Sequence, residues 1–245
     1  MKLIDYIVVI PARFDSKRLP GKALLDIAGK TLIEHVFVAA SKSQAREIII
    51  ATDSEKIKKV AENFNAKTVM TRTDHMSGTD RIAELAEIEN WKEDQIVVNV
   101  QGDCPLMPPE NIDQVASLLF KNRDAGIATL ATMIDDPEEI NDPNVVKVNF
   151  DTNGSAISFQ RKITNSLNEK IRQWRHIGIY AYTLKALKIF SKHPRTKLEI
   201  EASLEQLRAF DLKMKIIIAE AQISPGPDVD TEQDLSTVRR IFGAN

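Results

Sequence analysis

The sequence predicts an α/β protein with a mostly parallel central sheet, helices on both faces and a smaller antiparallel or mixed extension. Three observations carry this. In the first half, short β-branched runs alternate with stretches of helical periodicity, the pattern of βαβ units. Those runs are apolar throughout, as strands covered on both faces are. From Ala125 onward the alternation gives way to successive strand-like runs with few helices between them.

Taken in order, residues 7–10 form a buried strand and residues 31–41 a helix. Residues 48–51 form a second strand, and Asp53 or Ser54 can cap a helix running to about Asn63. Residues 68–70 make a short strand. Residues 79–90 make a helix with Ile82, Leu85, Ala86 and Ile88 inward. Residues 96–100 are a further buried strand, and 109–122 a helix with proline in its first turn. Residues 127–133, 145–150, 156–159 and 176–182 read as strands. The polar segment 162–173 reads as a loop or short helix and is the candidate lid. Helices return at 184–191, 198–209 and 231–242. No internal repeat, low-complexity tract or linker divides the chain, so 1–245 reads as one domain.

Composition narrows the function. The chain has 245 residues, 43% hydrophobic, with a net charge of −2. That length supports a full core, and that charge favours neither bulk nucleic-acid binding nor an anionic membrane surface. A single cysteine, Cys104, excludes an intrachain disulfide and a cysteine-based zinc site. No apolar run approaches the roughly 20 residues of a membrane span, and Met1–Asp5 lacks a signal-peptide core. A cytoplasmic protein is the expectation.

The loop after the first strand, Ile10 to Lys22 (IPARFDSKRLPGK), gathers Arg13, Lys17, Arg18 and Lys22 without a compensating run of acids. A loop leaving the C-terminal end of a parallel strand is where open α/β sheets bind ligands, and cations there suggest a polyanion such as a nucleoside triphosphate. It is not a Walker loop, because Ala23 follows Lys22 and no glycine stands five residues before Gly21. A glycine-poor loop cannot wrap phosphates in backbone N–H groups as tightly, so side-chain cations should carry more of the phosphate charge.

In Val97 to Pro105 (VVNVQGDCP), Asp103 follows a strand end and a glycine. A carboxylate there can hold Mg²⁺ on a phosphate, since magnesium takes oxygen ligands and often only one or two protein carboxylates; it is equally a turn residue. Asp230, near the end of PDVDTEQDL, can supply a second carboxylate or, like Thr231, cap the last helix. Thr71 to Arg81 (TRTDHMSGTDR) can read a nucleobase edge through Ser77 or be an ordinary capped turn. His176 and Tyr180 share one face of a strand. Glu205 and Arg208 can be simply a surface helix pair.

Together these motifs, with DPNVVK from Asp142 to Lys147, RHIGIYAY, LEQLR and DVDTEQDL, resemble the 3-deoxy-manno-octulosonate cytidylyltransferases, or CMP-Kdo synthetases, from Ile10 to Leu235. The resemblance implies a nucleotide-diphospho-sugar transferase-like fold. It also implies a Mg²⁺-dependent homodimer that activates the sugar acid Kdo with CTP for lipopolysaccharide assembly. Residues 1–125 would be mainly the CTP-binding half, and residues 126–245 mainly the sugar-binding and dimerisation half. Ala12, Arg13, Lys22, Arg72, Ser77 and Gly78 would contact CTP. Asp103 and Asp230 would be the metal ligands and, with Arg13 and Lys22, the catalytic set. Gln101, Arg161, His176, Tyr180, Glu205 and Gln206 would shape the sugar pocket, Arg161 facing the sugar carboxylate.

Several positions depart from the usual family pattern. Cys104 stands where glutamate is common, Gln160-Arg161 replaces Ser-Arg, and an Ile-Pro pair is missing after it. The link from Arg161 to His176 is short, and Ala181 replaces a frequent glycine. The departures cluster on the sugar side. They leave 8-amino-Kdo or another 3-deoxy-ulosonic acid open as the substrate, alongside a non-catalytic nucleotide-binding role.

Overall fold

A computed structural model describes residues 4–16, 18–162 and 173–243. The first half runs β1 (Tyr6–Ala12), a small hairpin of β2 (Asp26–Ile27) and β3 (Lys30–Thr31), α1 (Leu32–Ala40), β4 (Glu47–Thr52), α2 (Glu55–Glu62), β5 (Lys67–Met70), α3 (Gly78–Ile88), β6 (Ile96–Asn99) and α4 (Pro109–Lys121). The second half runs β7 (Ile127–Met133), α5 (Pro137–Asn141), β8 (Lys147–Phe150), β9 (Ala156–Gln160), β10 (Trp174–Thr183), α6 (Leu184–Lys192), α7 (Lys197–Ala202), α8 (Leu207–Asp211), β11 (Ile216–Glu220) and α9 (Glu232–Gly243).

The main sheet has the order β11-β7-β10-β6-β1-β4-β5, with β8 joined to β10 and β9 to β8. β1 lies parallel to β4 and β6, β4 to β5, and β7 to β11. β10 is antiparallel to both β6 and β7, and the β8–β9 hairpin is antiparallel as well. The expected mostly parallel sheet with a mixed extension is therefore what forms.

Burial explains the uniformly apolar strands. Val8, Ile10 and Ala12 of β1 join the core formed with α1, α4 and α9, while Ile7 and Val9 join the core under α3 and α6. All five are buried, and each Ile or Val so covered contributes about 1.5–3 kcal/mol. With both faces filled, β1 and β6 can open only at their ends. Running parallel, they deliver the loops after Ala12 and Asn99 to the same edge of the sheet.

Four expectations need correction. The helix expected over 198–209 is two helices, because α7 ends at Ser203 in the left-handed region (φ 52°) and the chain turns before α8. β11 was not foreseen, although its Ile216-Ile217-Ile218 run carries a strand signal. Ile88, expected inward, is 52% exposed at the end of α3. Arg208, which could have formed a surface pair with Glu205, does lie 3.8 Å from it but is buried, with its close hydrogen bonds going to Glu199. The candidate lid lies almost wholly outside the described residues, as does Lys17.

Candidate active site

The loop after β1, the end of β6 and the start of α3 enclose a cavity of about 440 Å³. Its lining includes Ala12, Arg13, Ser16, Arg18, Lys22, Ser77, Gly78, Arg81, Gln101, Asp103 and Asp230. Backbone geometry makes the convergence possible. A Cβ on Gly102 would come within 2.8 Å of the Pro11 carbonyl oxygen, so the glycine lets the β6 loop press against β1. Gly21, at φ 67°, turns the chain into the short helical turn that carries Lys22.

Lys22 is the centre of the site. Its Nζ donates to Asp103 Oδ2 at 2.7 Å and to Asp230 Oδ1 at 3.0 Å. Burial works against the ammonium, but the two carboxylates outweigh it and raise its pKa. Arg18 reaches the same Asp230 oxygen at 2.8 Å. The Val229 N–H donates to the Asp103 carbonyl at 2.8 Å and draws the two acidic loops together. Arg13 lines the cavity with no hydrogen-bond or ion-pair partner among the described residues.

The last helix shows how Asp230 is spared for this role. The Thr231 hydroxyl accepts the Asp234 N–H, and Asp234 Oδ2 accepts the N–H groups of Thr231 and Asp230. Thr231 and Asp234 do the capping, and the Asp230 carboxylate faces Lys22. Asp103 and Asp230 both reach one cation already, and both offer the hard oxygen ligands that Mg²⁺ takes. Among the described residues no group of three or more His, Cys, Asp or Glu converges on a metal position, so the pair would need phosphate or water to complete octahedral coordination.

Ser77 caps α3, its Oγ accepting the Asp80 N–H at 3.1 Å. Arg81, one turn on, is buried in the cavity wall. Its NH2 donates to Asp53 Oδ2 at 2.6 Å, and its NH1 binds the Thr71 hydroxyl and the Arg72 carbonyl. Asp53 therefore holds Arg81, and α2 has Ser54 rather than Asp53 at its N-cap. Arg72 lies outside the cavity lining with its guanidinium on Asp74. Arg18 and Arg81 were missed as site residues. Arg18 was legible as one more cation of the loop, whereas Arg81 depends on the distant Asp53.

The expected sugar-side residues form an adjoining cluster. Gln101 shares the cavity wall. The Thr79 hydroxyl donates to Glu205 Oε2 at 2.8 Å, joining the turn before α8 to the head of α3. Glu205 Oε1 is sealed without a hydrogen-bond partner, and burial raises the Glu205 pKa against the pull of Ser77, Thr79 and Arg208. Gln206 is buried beside it. The His176 and Tyr180 rings lie 5.3 Å apart. Between Ile177 and Tyr180 the strand advances three residues against one on β7, and this excess of two keeps their shared face. The Thr129 hydroxyl fills the bulge, 2.7 Å from the Ile179 carbonyl and 2.9 Å from His176 Nε2. Burial lowers the His176 pKa to about 3, so its imidazole is neutral near neutral pH and serves as a hydrogen-bonding wall.

Arg161 is placed differently from expectation. Its Nε, NH1 and NH2 donate to the carbonyls of Ala202, Pro143 and Ser203 at 3.0, 3.0 and 3.2 Å. Three of its five N–H groups are thus spent on the protein's own backbone. Cys104 is buried with its Sγ 3.5 Å from Asp103 Oδ1, and burial raises the thiol's pKa, which keeps it unreactive. Asp228 was not foreseen. It opens onto a neighbouring crevice lined also by Arg175 and His176. The residue is exposed as a whole, but its carboxyl sits against the crevice wall beside Asp103, and partial loss of water contact, then the charge of Asp103, pushes it up to about 7.

Known proteins share this architecture. The sequence profile of the cytidylyltransferase family matches residues 7–216. A 3-deoxy-manno-octulosonate cytidylyltransferase of Francisella philomiragia is 46% identical over 248 aligned residues, covering 98% of this chain and 99% of the relative. That of Francisella tularensis subsp. novicida is 48% identical over 243, covering 96% and 97%. A solved CMP:2-keto-3-deoxy-manno-octonic acid synthetase complexed with CTP superposes with a TM-score of 0.91 at 37% identity, covering 98% of this chain and 99% of that one. A 4-diphosphocytidyl-2C-methyl-D-erythritol synthase, at 15% identity and a TM-score of 0.64 over 97% and 98% of the two chains, shares the fold. The chain belongs to the cytidylyltransferase family, and within it to the 3-deoxy-manno-octulosonate cytidylyltransferases.

Proposed function

We propose that this chain transfers the cytidylyl group of CTP to 3-deoxy-D-manno-octulosonate, forming CMP-Kdo and pyrophosphate. The observation that carries this is Lys22 held between Asp103 and Asp230, in a cavity at parallel strand ends where Arg13, Arg18 and Arg81 supply further positive charge.

Each cavity group then has a task. Arg13, Arg18 and Lys22 bind the triphosphate and offset the charge that builds on the leaving pyrophosphate. Ser77 and Gly78, at the head of α3, hold the cytidine with Ala12 from β1. Asp103 and Asp230 hold Mg²⁺, which when bound supplies Lewis-acid charge to phosphate oxygens. Gln101, His176, Tyr180, Glu205 and Gln206 orient the sugar. Its anomeric hydroxyl attacks the α-phosphorus in line, the bond to the β-phosphate oxygen breaks, and the hydroxyl proton passes to solvent. Rate enhancement rests on positioning and charge, so no dedicated base is required. The homodimer implied by the sequence resemblance belongs to the same proposal.

Pyrophosphate release from CTP, Mg²⁺ and Kdo, followed with phosphorus NMR of the sugar product, tests the reaction. Stoichiometric pyrophosphate and CMP-Kdo are expected. Tight CTP binding without turnover of any sugar acid would replace transfer with a nucleotide-binding role.

A further inference from the structure

Lys147, on β8, is 1% exposed, yet no carboxylate of the described residues lies within ion-pair distance of it. Its Nζ donates to two main-chain carbonyls, those of Asp142 at 2.5 Å and Arg161 at 3.1 Å. Burial lowers its pKa, with Asp142 and Glu139 pulling the other way. A sealed ammonium without a counter-ion is expensive, and a methionine would fill the same volume without that penalty.

The two carbonyls show what the lysine accomplishes. Asp142 begins the loop whose next carbonyl, Pro143, receives Arg161. Arg161 ends the β9 segment, and its guanidinium spans from Pro143 to the Ala202–Ser203 turn. That turn leads directly into Glu205 and Gln206, and Glu205 touches Thr79 beside the nucleotide cavity. Just before Arg161, Phe159 packs its ring edge-on to His176 at 5.1 Å. Two cations and five backbone carbonyls therefore lash three separate stretches of chain into the frame behind the sugar-side groups.

We propose that Lys147 is the positioning residue of the sugar side: by clamping the carbonyls of Asp142 and Arg161 it sets the Arg161 fork on the 202–203 turn, and so the placement of Glu205 and Gln206 toward an acidic sugar. This rests on the cytidylyl-transfer reading above. None of the contacts made by Lys147 and Arg161 themselves lies in the nucleotide cavity, whose link to this frame is the Glu205–Thr79 hydrogen bond, so the lysine should act mainly on the sugar.

Steady-state kinetics of Lys147→Met with CTP and Kdo varied separately tests the role, with a thermal melt of each protein as the folding control. The KM for Kdo should rise on the order of 10-fold or more, as expected when a supporting group lets its site drift by a fraction of an ångström, while the KM for CTP stays within about twofold. Lys147→Arg, which keeps the charge and the donors, should recover part of the loss. If Lys147→Met does not fold, Lys147→Gln, which keeps two donors, should show the same split in smaller measure. Equal changes in both KM values, or none in either, would overturn the proposal. Wild-type protein inactive with every sugar acid would sink the transfer reading and this role with it, an outcome distinct from an active wild type with an unaltered variant.

Discussion

The two regions proposed above to take the nucleotide and the sugar use charge in opposite ways. Around the β1 loop the cations stay available: Arg13 has no partner among the described residues, and Lys22 and Arg18 are held only by two acids that themselves face the cavity. Behind the sugar pocket the charges are spent on the protein. Lys147 and Arg161 are committed to carbonyls, and Arg208 to Glu199 at 2.9 and 2.6 Å. The first region keeps charge free for the phosphates proposed to bind there, and the second uses it to hold its own shape. Substitutions on the nucleotide side should therefore cost rate at little loss of stability, and substitutions behind the sugar pocket should first cost stability or sugar affinity.

The largest rate effect is expected from Asp103→Asn. If Asp103 is one of the two metal carboxylates proposed above, its loss should lower kcat on the order of 10³-fold, the several kcal/mol of charge stabilisation that a metal supplies, and shift the Mg²⁺ titration. Superimposed titrations of variant and parent would remove Asp103 from the metal site. Lys22→Ala should lower kcat by about 10²-fold or more, comparable to loss of one preorganised donor, with a melting temperature close to the parent's. A wild-type rate would take Lys22 out of the reaction.

Glu199→Ala sharpens the other half of the contrast. It strands a buried guanidinium, so urea unfolding should show a loss of about 3–5 kcal/mol. Burial alone would raise the Glu199 pKa, but the hydrogen bonds from Arg208 prevail and hold it below its ordinary value. The stabilisation is thus full above the unfolded-state value near 4.3 and is lost as pH falls through the lower folded value. The gap between parent and variant should close on acidification. A gap independent of pH would show that the ion pair is not its source.

The smallest effect is expected at Asp228. Its carboxyl is raised to about 7, so the folded state resists losing the proton. The folded protein is relatively favoured below the unfolded value near 3.9, and this advantage is lost as pH rises to about 7. In metal-free protein, Asp228→Asn should gain melting temperature relative to the parent across that interval and level off above it. A flat difference would place the Asp228 carboxylate in ordinary solvent.

The same contrast explains what the sequence made legible. The nucleotide side is written in contiguous stretches at strand ends, where the cations of Ile10–Lys22 and the acid after Gly102 are visible without a fold. The parallel sheet was legible because both-face burial leaves uniformly apolar runs. The sugar-side frame was not, since its bonds join Lys147 to Asp142 and Arg161, and Arg161 to Ala202 and Ser203, mostly through backbone carbonyls that carry no residue signature. Ser203 hid the break between α7 and α8, because a non-glycine residue in the left-handed region gives little warning.

The most direct measurement is kcat/KM for Kdo, 8-amino-Kdo and N-acetylneuraminate, each with CTP and Mg²⁺. Kdo should be the best substrate by a clear margin, showing that the sugar-side frame holds the same acid despite its departures from the family pattern. A higher value for either other acid would contradict the assignment of Kdo while leaving cytidylyl transfer in place.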